Sequence, residues 1–253
     1  MGTITFHNVS KTYRGQKDVR ALQDVSLQVD EGEFVALLGP SGCGKSTLLN
    51  VLAGFEKISQ GQLLFDGTAI VRPGPDRGVV FQEAALFPWL TVWENVIFGP
   101  QVQGMARADY ERRARQLLDL VGLTSFADAL PVQLSGGMRQ RVGIARVLVM
   151  NPRALLMDEP FGALDAQTRL SMQQLLLDVW QKLNTTVLFV THDIDEAILL
   201  SDRICVMSPR PGRIIKTIPI DLPRPRSIAS LTSPQFVAYK AEIMADIKIT
   251  DHH

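Results

Sequence analysis

One stretch of the chain has the residue types and the spacing needed to hold a chain of phosphates. It follows the pattern G-x-x-x-x-G-K-S and reads Gly39-Pro40-Ser41-Gly42-Cys43-Gly44-Lys45-Ser46-Thr47. The glycines allow a curled backbone whose successive N–H groups point inward at phosphate oxygens. In such a loop Lys45 reaches the β- and γ-phosphates, and the hydroxyl of Ser46 holds Mg²⁺. The stretch therefore predicts a binding site for a nucleoside triphosphate.

Side chains that could act on the same triphosphate follow two other apolar runs. Asp158 and Glu159 come directly after residues 154–157, and His192 comes after residues 186–190. An aspartate downstream of a phosphate loop can hold Mg²⁺ through water. The adjacent glutamate can polarise a water in line with the γ-phosphate, and a general base typically contributes roughly 10²–10⁴-fold. His192 ends a strand of the same predicted sheet as Asp158, so we expect it to reach the γ-phosphate.

Three further candidates each allow two interpretations. Tyr13 either stacks under a nucleotide base or packs half-buried in a strand. Gln82 either touches Mg²⁺ and the attacking water through its amide oxygen or is an ordinary surface side chain. Ser135-Gly136-Gly137 opens a helix with bare backbone amides, which is either an anion-binding arrangement or simply a capped helix start. Asp165 is placed as a possible N-cap of the helix that follows it.

The candidates need a sheet that brings them to one edge. Short continuous apolar runs are typical of strands covered on both faces, and they occur at residues 34–38, 78–81, 154–157 and 186–190. In open α/β sheets ligands sit beyond the carboxyl ends of such strands, where the candidate residues stand. Residues 1–83 and 151–220 are therefore expected to form an α/β core.

Residues 84–150 have few strand signals and two helical stretches, so we expect a helical lobe inserted into the core. Phe87 and Trp89 form an aromatic cluster beside Pro88. The cluster is either an exposed apolar patch, which often marks a partner surface, or buried packing. Residues 221–226 are expected to be a stiff linker, and residues 221–253 as a whole a linker with a C-terminal helix.

The overall composition excludes several classes of protein. The 253 residues contain 26 Lys+Arg and 26 Asp+Glu, so no basic field points to nucleic acid as a partner. No apolar run approaches the length of a membrane span, and residues 1–10 do not resemble a secretory signal. The two cysteines, Cys43 and Cys205, form no metal or redox spacing. We expect a cytosolic protein.

Taken together, these motifs resemble those of the ATP-binding cassette (ABC) ATPases over essentially the whole chain. The order is an aromatic residue, a phosphate loop, a Gln loop, an L-S-G-G signature, an apolar strand with D-E, an A-L-D loop and a His. The resemblance implies a P-loop NTPase (RecA-like) α/β core with an antiparallel β subdomain and an inserted helical subdomain. It further implies that the chain is one ABC ATPase domain over residues 1–253.

The resemblance also assigns roles and cofactors. It implies that Tyr13 stacks on adenine, that Gln82 couples metal and water to the helical lobe, and that ATP and Mg²⁺ are bound. Two copies would pack head to tail and share two ATP molecules, with Ser135-Gly136-Gly137 of one facing the phosphates held by Lys45 of the other. Asp165 would lie at that interface. Met138 departs from the family's usual Gln, and we expect altered detail without loss of activity.

Cassettes of this size usually power importers, and finer motifs resemble the taurine/nitrate/sulfonate/bicarbonate uptake subfamily. The motifs lie in residues 77–82, 87–92, 208–213 and 233–236. The resemblance implies two membrane permease subunits contacted near Phe87 and Trp89, an external binding protein and a place at the cytoplasmic face of the inner membrane. The alternatives are a soluble ABC ATPase acting on nucleic acid or ribosomes and a non-hydrolysing structural cassette. The balanced charge argues against a protein that acts on nucleic acid. The set Lys45, Asp158, Glu159 and His192 argues against a cassette that does not hydrolyse ATP.

Overall fold

A computed structural model gives the backbone of residues 2–183 and 185–250, with side chains described up to residue 246. Residues 251–253, the end of the predicted C-terminal segment, lie outside the described residues, as does Met1. The strands are β1 Ile4–Tyr13, β2 Val19–Val29, β3 Phe34–Leu38, β4 Gln60–Phe65, β5 Thr68–Ala69, β6 Arg77–Val80, β7 Ala154–Asp158, β8 Thr186–Thr191, β9 Arg203–Met207 and β10 Ile214–Pro219. The helices are α1 Lys45–Ala53, α2 Val92–Val102, α3 Arg107–Leu120, α4 Gly136–Leu148, α5 Ala166–Leu183, α6 Ile194–Leu200 and α7 Pro234–Thr250.

The described residues form two compact units. The first combines the chain up to Gly74 with the chain from residue 185 onward, and the second is Pro75–Leu183. Within the first unit, β2, β1, β4 and β5 form an antiparallel sheet in that order. Its inward side chains include Ile4 and Phe6, as the alternating pattern of β1 requires, and also Val9, which is buried after a register shift between Phe6 and Val9.

The first unit also contains the strands β10, β9, β3 and β8, paired in that order. Strands β9, β3 and β8 run parallel to one another, and β10 runs antiparallel to β9. Every residue of β3 and of β8 is buried, as expected for strands without a polar face. The rings of Phe34 and Phe189 lie 5.8 Å apart across this pairing. The pairing brings the ends of β3 and β8 to one edge.

The second unit has two parallel strands and four helices. Strands β6 and β7 pair with Val80 opposite Met157, and helices α2, α3, α4 and α5 complete the unit. Residues 84–150, all of them described, contain α2, α3, α4 and two short 3₁₀ turns but no strand. Among the described parts of the chain, no helix combines the length and the apolar character needed to cross a bilayer.

Residues 221–226, the segment predicted to be a stiff linker, are anchored to the first unit. Arg226 is only 2% exposed, and its guanidinium donates hydrogen bonds to backbone carbonyls at the end of α6, at Ile220 and in the segment itself at Leu222. Arg224 pairs with Asp202, two residues beyond the end of α6, at 2.6 Å. The composition did not predict this anchoring, in which the two arginines donate to carbonyls that α6 leaves unpaired at its C-terminus.

Candidate functional site

The phosphate loop connects the buried strand β3 to helix α1, which begins at Lys45. Gly42 and Gly44 have φ angles of 74° and 110°, a left-handed conformation that glycine adopts without strain. A Cβ on Gly44 would also stand 2.8 Å from the carbonyl oxygen of Ala21. The loop is therefore curled tightly against β2, and glycine is required by both conformation and space.

Lys45 and the start of α1 form the positively charged part of this loop. The Lys45 side chain is buried, and its ammonium donates hydrogen bonds to the carbonyl oxygens of Gly39 (2.8 Å) and Pro40 (3.0 Å). The N-cap of α1 is Gly44, which has no side chain to cap the amides of the first turn. Those amides and the helix dipole favour an anion at this position.

His192 leaves the sheet next to the phosphate loop. Leu38 pairs with Thr191 in the parallel β3–β8 ladder, so the loop and His192 follow opposite residues of neighbouring strands. The turn that holds exposed His192 is fixed at both ends. The Thr191 hydroxyl donates to Glu196 at 2.7 Å, and the Asp193 carboxylate accepts the amides of residues 195 and 196. Asp193 is thus the N-cap of α6.

Tyr13 lies at the end of β1 and is 37% exposed. The ammonium of Lys11 lies 4.7 Å from the centre of its ring. Lys11 is itself held by Glu56 and by the carbonyl of Lys57, both at 2.8 Å. One ring face is therefore engaged by a fixed cation, so a nucleotide base would have to stack on the other face.

In the second unit, Gln82, Asp158 and Glu159 come from the ends of the paired strands β6 and β7. Glu159 has a φ of 44°, which is unusual for a residue with a side chain and is typical of functional sites. The turn after it is closed by the amide of Gly162 donating to the Glu159 carbonyl. The amide nitrogen of Gln82 stands 3.1 Å from the position of a Cβ on Gly162. The side chain of Gln82 therefore lies against the turn that follows Glu159.

Ser135, Gly136 and Gly137 open α4 in the second unit. The Ser135 hydroxyl accepts the amide of Met138 at 3.2 Å, so the capped-helix interpretation holds for its side chain. A groove of about 320 Å³ beside this helix start is lined by Ser135, Gly137, Met138, Arg141, Gln167, Thr168 and Ser171. Asp165 stands at the start of α5 and accepts the amide of Thr168 at 3.1 Å. Hydrogen bonds from Thr168 lower the pKa of this carboxyl below its ordinary value.

The aromatic cluster of the second unit is divided between surface and interior. Trp89 is 72% exposed, whereas Phe87 is half-buried with its ring 4.5 Å from that of Phe98. The buried amide of Asn95 fixes the segment by donating to the carbonyls of Phe87 and Leu90 and accepting the Phe87 amide. Trp89 is therefore held out from a rigid turn.

The structure also brings a residue to the phosphate loop that the sequence did not single out. Arg210 donates through Nε to the carbonyl of Gly42 at 3.1 Å. The sequence signal was present in the motif at residues 208–213, which carried a family resemblance but no assigned contact. The other predicted residues are distributed between the units. Tyr13 and His192 share the first unit with the phosphate loop, whereas Gln82, Asp158, Glu159, Asp165 and the signature residues belong to the second.

Comparison with known proteins gives a consistent match. Residues 22–162 match the family model described as "ABC transporter". The chain belongs to the ABC transporter family. A putative ATP-binding protein of Brucella abortus (strain 2308) is 52% identical over 95% of this chain and 91% of its own length. The taurine import ATP-binding protein TauB of Rhizobium johnstonii is 50% identical over 93% of this chain and 92% of its own length.

A solved structure supports the same assignment. The ATP-binding cassette MJ0796, a dimer in a post-hydrolysis state bound to ADP and Pi, matches with a TM-score of 0.76 and 36% identity. The match covers 87% of this chain and 99% of that one. The predicted P-loop NTPase fold is therefore confirmed. As a member of this family of ATPases, the chain is an ATP-binding cassette.

Proposed function

We propose that the chain is the ATP-hydrolysing, energy-coupling subunit of an ABC importer for taurine, another sulfonate, nitrate or a similar small anion. The observation that carries the proposal is the 50% identity to a taurine import ATP-binding protein over nearly the full length of both chains. The proposal places the chain at the cytoplasmic face of the inner membrane, held there by its partners. An external substrate-binding protein would deliver the cargo.

The first unit would bind the nucleotide. The amides of the phosphate loop and the first turn of α1 cradle the phosphates, and Lys45 exchanges its two carbonyl partners for β- and γ-phosphate oxygens. Tyr13 stacks on adenine through the ring face away from Lys11. His192 contacts the γ-phosphate. The role of His192 is supported by the pairing of Leu38 with Thr191, because the phosphate loop after β3 and the turn after β8 then begin at the same level of the sheet.

Mg²⁺ would be held by Ser46, Asp158 and Gln82 together with the phosphates. A hydroxyl, a carboxylate and an amide oxygen suit this cation, which binds few protein groups and keeps phosphate and water ligands. The ion would neutralise charge on the phosphates. Glu159 takes the proton from the attacking water.

Two copies of the chain would share two ATP molecules. The dimeric, nucleotide-bound state of the related cassette supports this arrangement. The start of α4, with Gly136 exposed and Ser135 already capping, has amides to offer to a phosphate held by the other copy. Asp165 lies beside the same helix start, because Thr168, whose amide it accepts, packs against Gly137. We assign Asp165 to the dimer interface.

The membrane permease would dock on the second unit near Phe87 and Trp89. A groove of about 420 Å³ lies in the same unit and is lined in part by Leu86, Pro131 and Leu164. An exposed tryptophan on a rigid turn supplies a large apolar contact that needs little ordering on binding. ATP would favour the closed dimer, and closure of the dimer would switch the side of the membrane to which the permease is open.

The catalytic assignment is tested with Glu159→Gln. The variant should bind ATP, hydrolyse it at least 100-fold more slowly and accumulate as a dimer, which light scattering after size exclusion would detect. Asp119→Asn, at an exposed acid on α3, is the matched control and should behave as wild type. A Glu159→Gln protein that hydrolyses ATP normally would refute the base assignment.

The importer assignment is tested by using tagged Glu159→Gln with ATP to capture partners from detergent-solubilised native membranes. We expect a multi-span membrane protein, identified by mass spectrometry, and loss of its capture with Trp89→Ala. Val132→Ala, at an 83% exposed apolar residue of the same unit, should retain it. Capture of ribosomes or nucleic-acid-binding proteins alone would favour the soluble ATPase instead.

A further inference from the structure

The turn between β9 and β10 packs on the outer side of the phosphate loop. This turn, residues 208–213 with the sequence S-P-R-P-G-R, is called the backing turn here. It is anchored to β2, because the Gly212 amide donates to the Ala21 carbonyl at 2.9 Å and the Gln23 amide donates to the Gly212 carbonyl at 3.0 Å. The same Ala21 carbonyl limits the space at Gly44. The phosphate loop and the backing turn therefore both pack against Ala21 of β2.

Two close approaches leave no space between the phosphate loop and the end of β9 together with the backing turn. A Cβ on Gly212 would collide with the carbonyl oxygen of Cys43 and stand 2.9 Å from the end of the Met207 side chain. A Cβ on Gly39 would stand 3.0 Å from the Met207 carbonyl oxygen. The loop therefore cannot relax outward without displacing the turn, since both backbones are already in contact.

Arg210 adds a directional contact to this packing. Its Nε donates to the carbonyl oxygen of Gly42 at 3.1 Å, while its guanidinium is exposed to solvent. In a trans peptide the C=O and the N–H point in opposite directions. Holding the Gly42 carbonyl outward therefore turns the Cys43 N–H to the inner side of the loop, where it donates a hydrogen bond to the Pro40 carbonyl (3.3 Å from N to O), and the same carbonyl accepts Lys45. Arg210 thus fixes one peptide of the phosphate loop, and that peptide is linked through Pro40 to Lys45.

We propose that Arg210 is a positioning residue for nucleotide phosphates, which sets the orientation of the Gly42–Cys43 peptide from behind the loop. The inference rests on the proposed function, in that this loop is the nucleotide site. Because Arg210 acts on the loop backbone and not on the γ-phosphate, ATP and ADP should depend on it equally. The turnover number should change less than twofold.

The test compares Arg210→Ala with Arg213→Ala, which removes the same charge from an exposed arginine of the same turn. Losing one hydrogen bond of ordinary net strength should weaken ATP and ADP binding by roughly two- to tenfold, measured by calorimetry. Arg213→Ala should change either affinity by less than twofold. Arg210→Lys, which retains a donor and the charge, should recover part of the loss. The melting temperature without nucleotide should stay at the wild-type value.

Three patterns of loss would overturn the proposal, as would normal nucleotide binding by Arg210→Ala. Equal losses in Arg210→Ala and Arg213→Ala would indicate a general charge effect. A loss confined to ATP would indicate a γ-phosphate contact, and a lower melting temperature without nucleotide would indicate a structural role only. Lys45→Ala separates this proposal from the proposed function. If Lys45→Ala binds ATP normally, the nucleotide site itself is wrong, whereas normal binding by Arg210→Ala alone refutes only the role of Arg210.

Discussion

Arg226→Ala should be among the most destabilising single substitutions in the C-terminal segment. The side chain is almost fully buried, and its guanidinium serves carbonyls that are distant in sequence. It donates to the carbonyls of Ile198 (3.0 Å), Ser201 (2.5 Å) and Ile220 (2.8 Å), among others. Burial lowers the pKa of Arg226 to about 10, so the group remains charged at neutral pH. Alanine would leave these carbonyls without their donor.

The magnitude follows from the unpaired acceptors. A buried carbonyl without a partner costs about 1–3 kcal/mol. Water entering the vacated space should serve some of the carbonyls, so we count two as unsatisfied and expect a loss of about 4 kcal/mol, within a range of about 2–6. A chain of this size loses about 2–4 °C of melting temperature per kcal/mol, which gives roughly 8–16 °C.

The assay is urea and thermal unfolding of wild type, Arg226→Ala and Arg224→Ala. Arg224 belongs to the same segment but is more exposed, and its partner Asp202 also accepts the amide of Phe34, so we expect a loss of only about 1 kcal/mol. At a temperature where each variant is folded, the KM for ATP should stay within twofold of wild type. Equal losses for the two variants, or a loss below 1 kcal/mol for Arg226→Ala, would refute the reasoning.

Three other predictions concern stability. Burial raises the pKa of Cys205 from 9.0 to about 11, so the folded state loses stability as the pH rises from 9 towards 11. The unfolding free energy, measured with urea, should fall between pH 8 and pH 10.5 in wild type. In Cys205→Ala this fall should be smaller by about 2 kcal/mol. Asn95→Ala should cost about 2–4 kcal/mol and expose the turn before α2 to limited proteolysis, because it removes hydrogen bonds to that turn. Thr91→Ala removes the capping box of α2 and should lower the unfolding free energy by about 1 kcal/mol, whereas Thr91→Ser should retain most of it.

The parts that the sequence predicted well are those in which a few consecutive residues determine the conformation. The phosphate loop is one, because its glycines at fixed offsets between an apolar strand and a helix leave the backbone few options. Helix starts are another, and Ser135 and Asp165 both accept an amide of the first turn that follows them. In the loop and at the helix starts, the partner of the functional group lies within six residues. Local spacing is then sufficient to predict the contact.

Composition alone misjudged residues whose partners are distant. Arg226 lies in a segment rich in proline and arginine, a composition typical of exposed linkers, yet its partners at Ile198 and Ser201 are 28 and 25 residues away. Trp89 illustrates the opposite difficulty. Its turn is held by Asn95, a buried residue of α2 that bonds the carbonyls of Phe87 and Leu90 only eight and five residues back, yet no capping or turn pattern marks this asparagine as important. The contacts of Arg226, by contrast, follow from tertiary packing, and no local pattern contains them.

Arg210 shows why the phosphate loop itself belongs partly to this second class. The motif specifies a loop that can point its amides at phosphates, but a glycine-rich backbone has many other conformations available, and selecting one costs entropy. In this protein the selection comes from Gly212 against Cys43 and from Arg210 at the Gly42 carbonyl, about 170 residues further along the chain. A ligand that meets an ordered loop need not supply that ordering on binding. The affinity for nucleotide should therefore depend on the backing turn as well as on the motif.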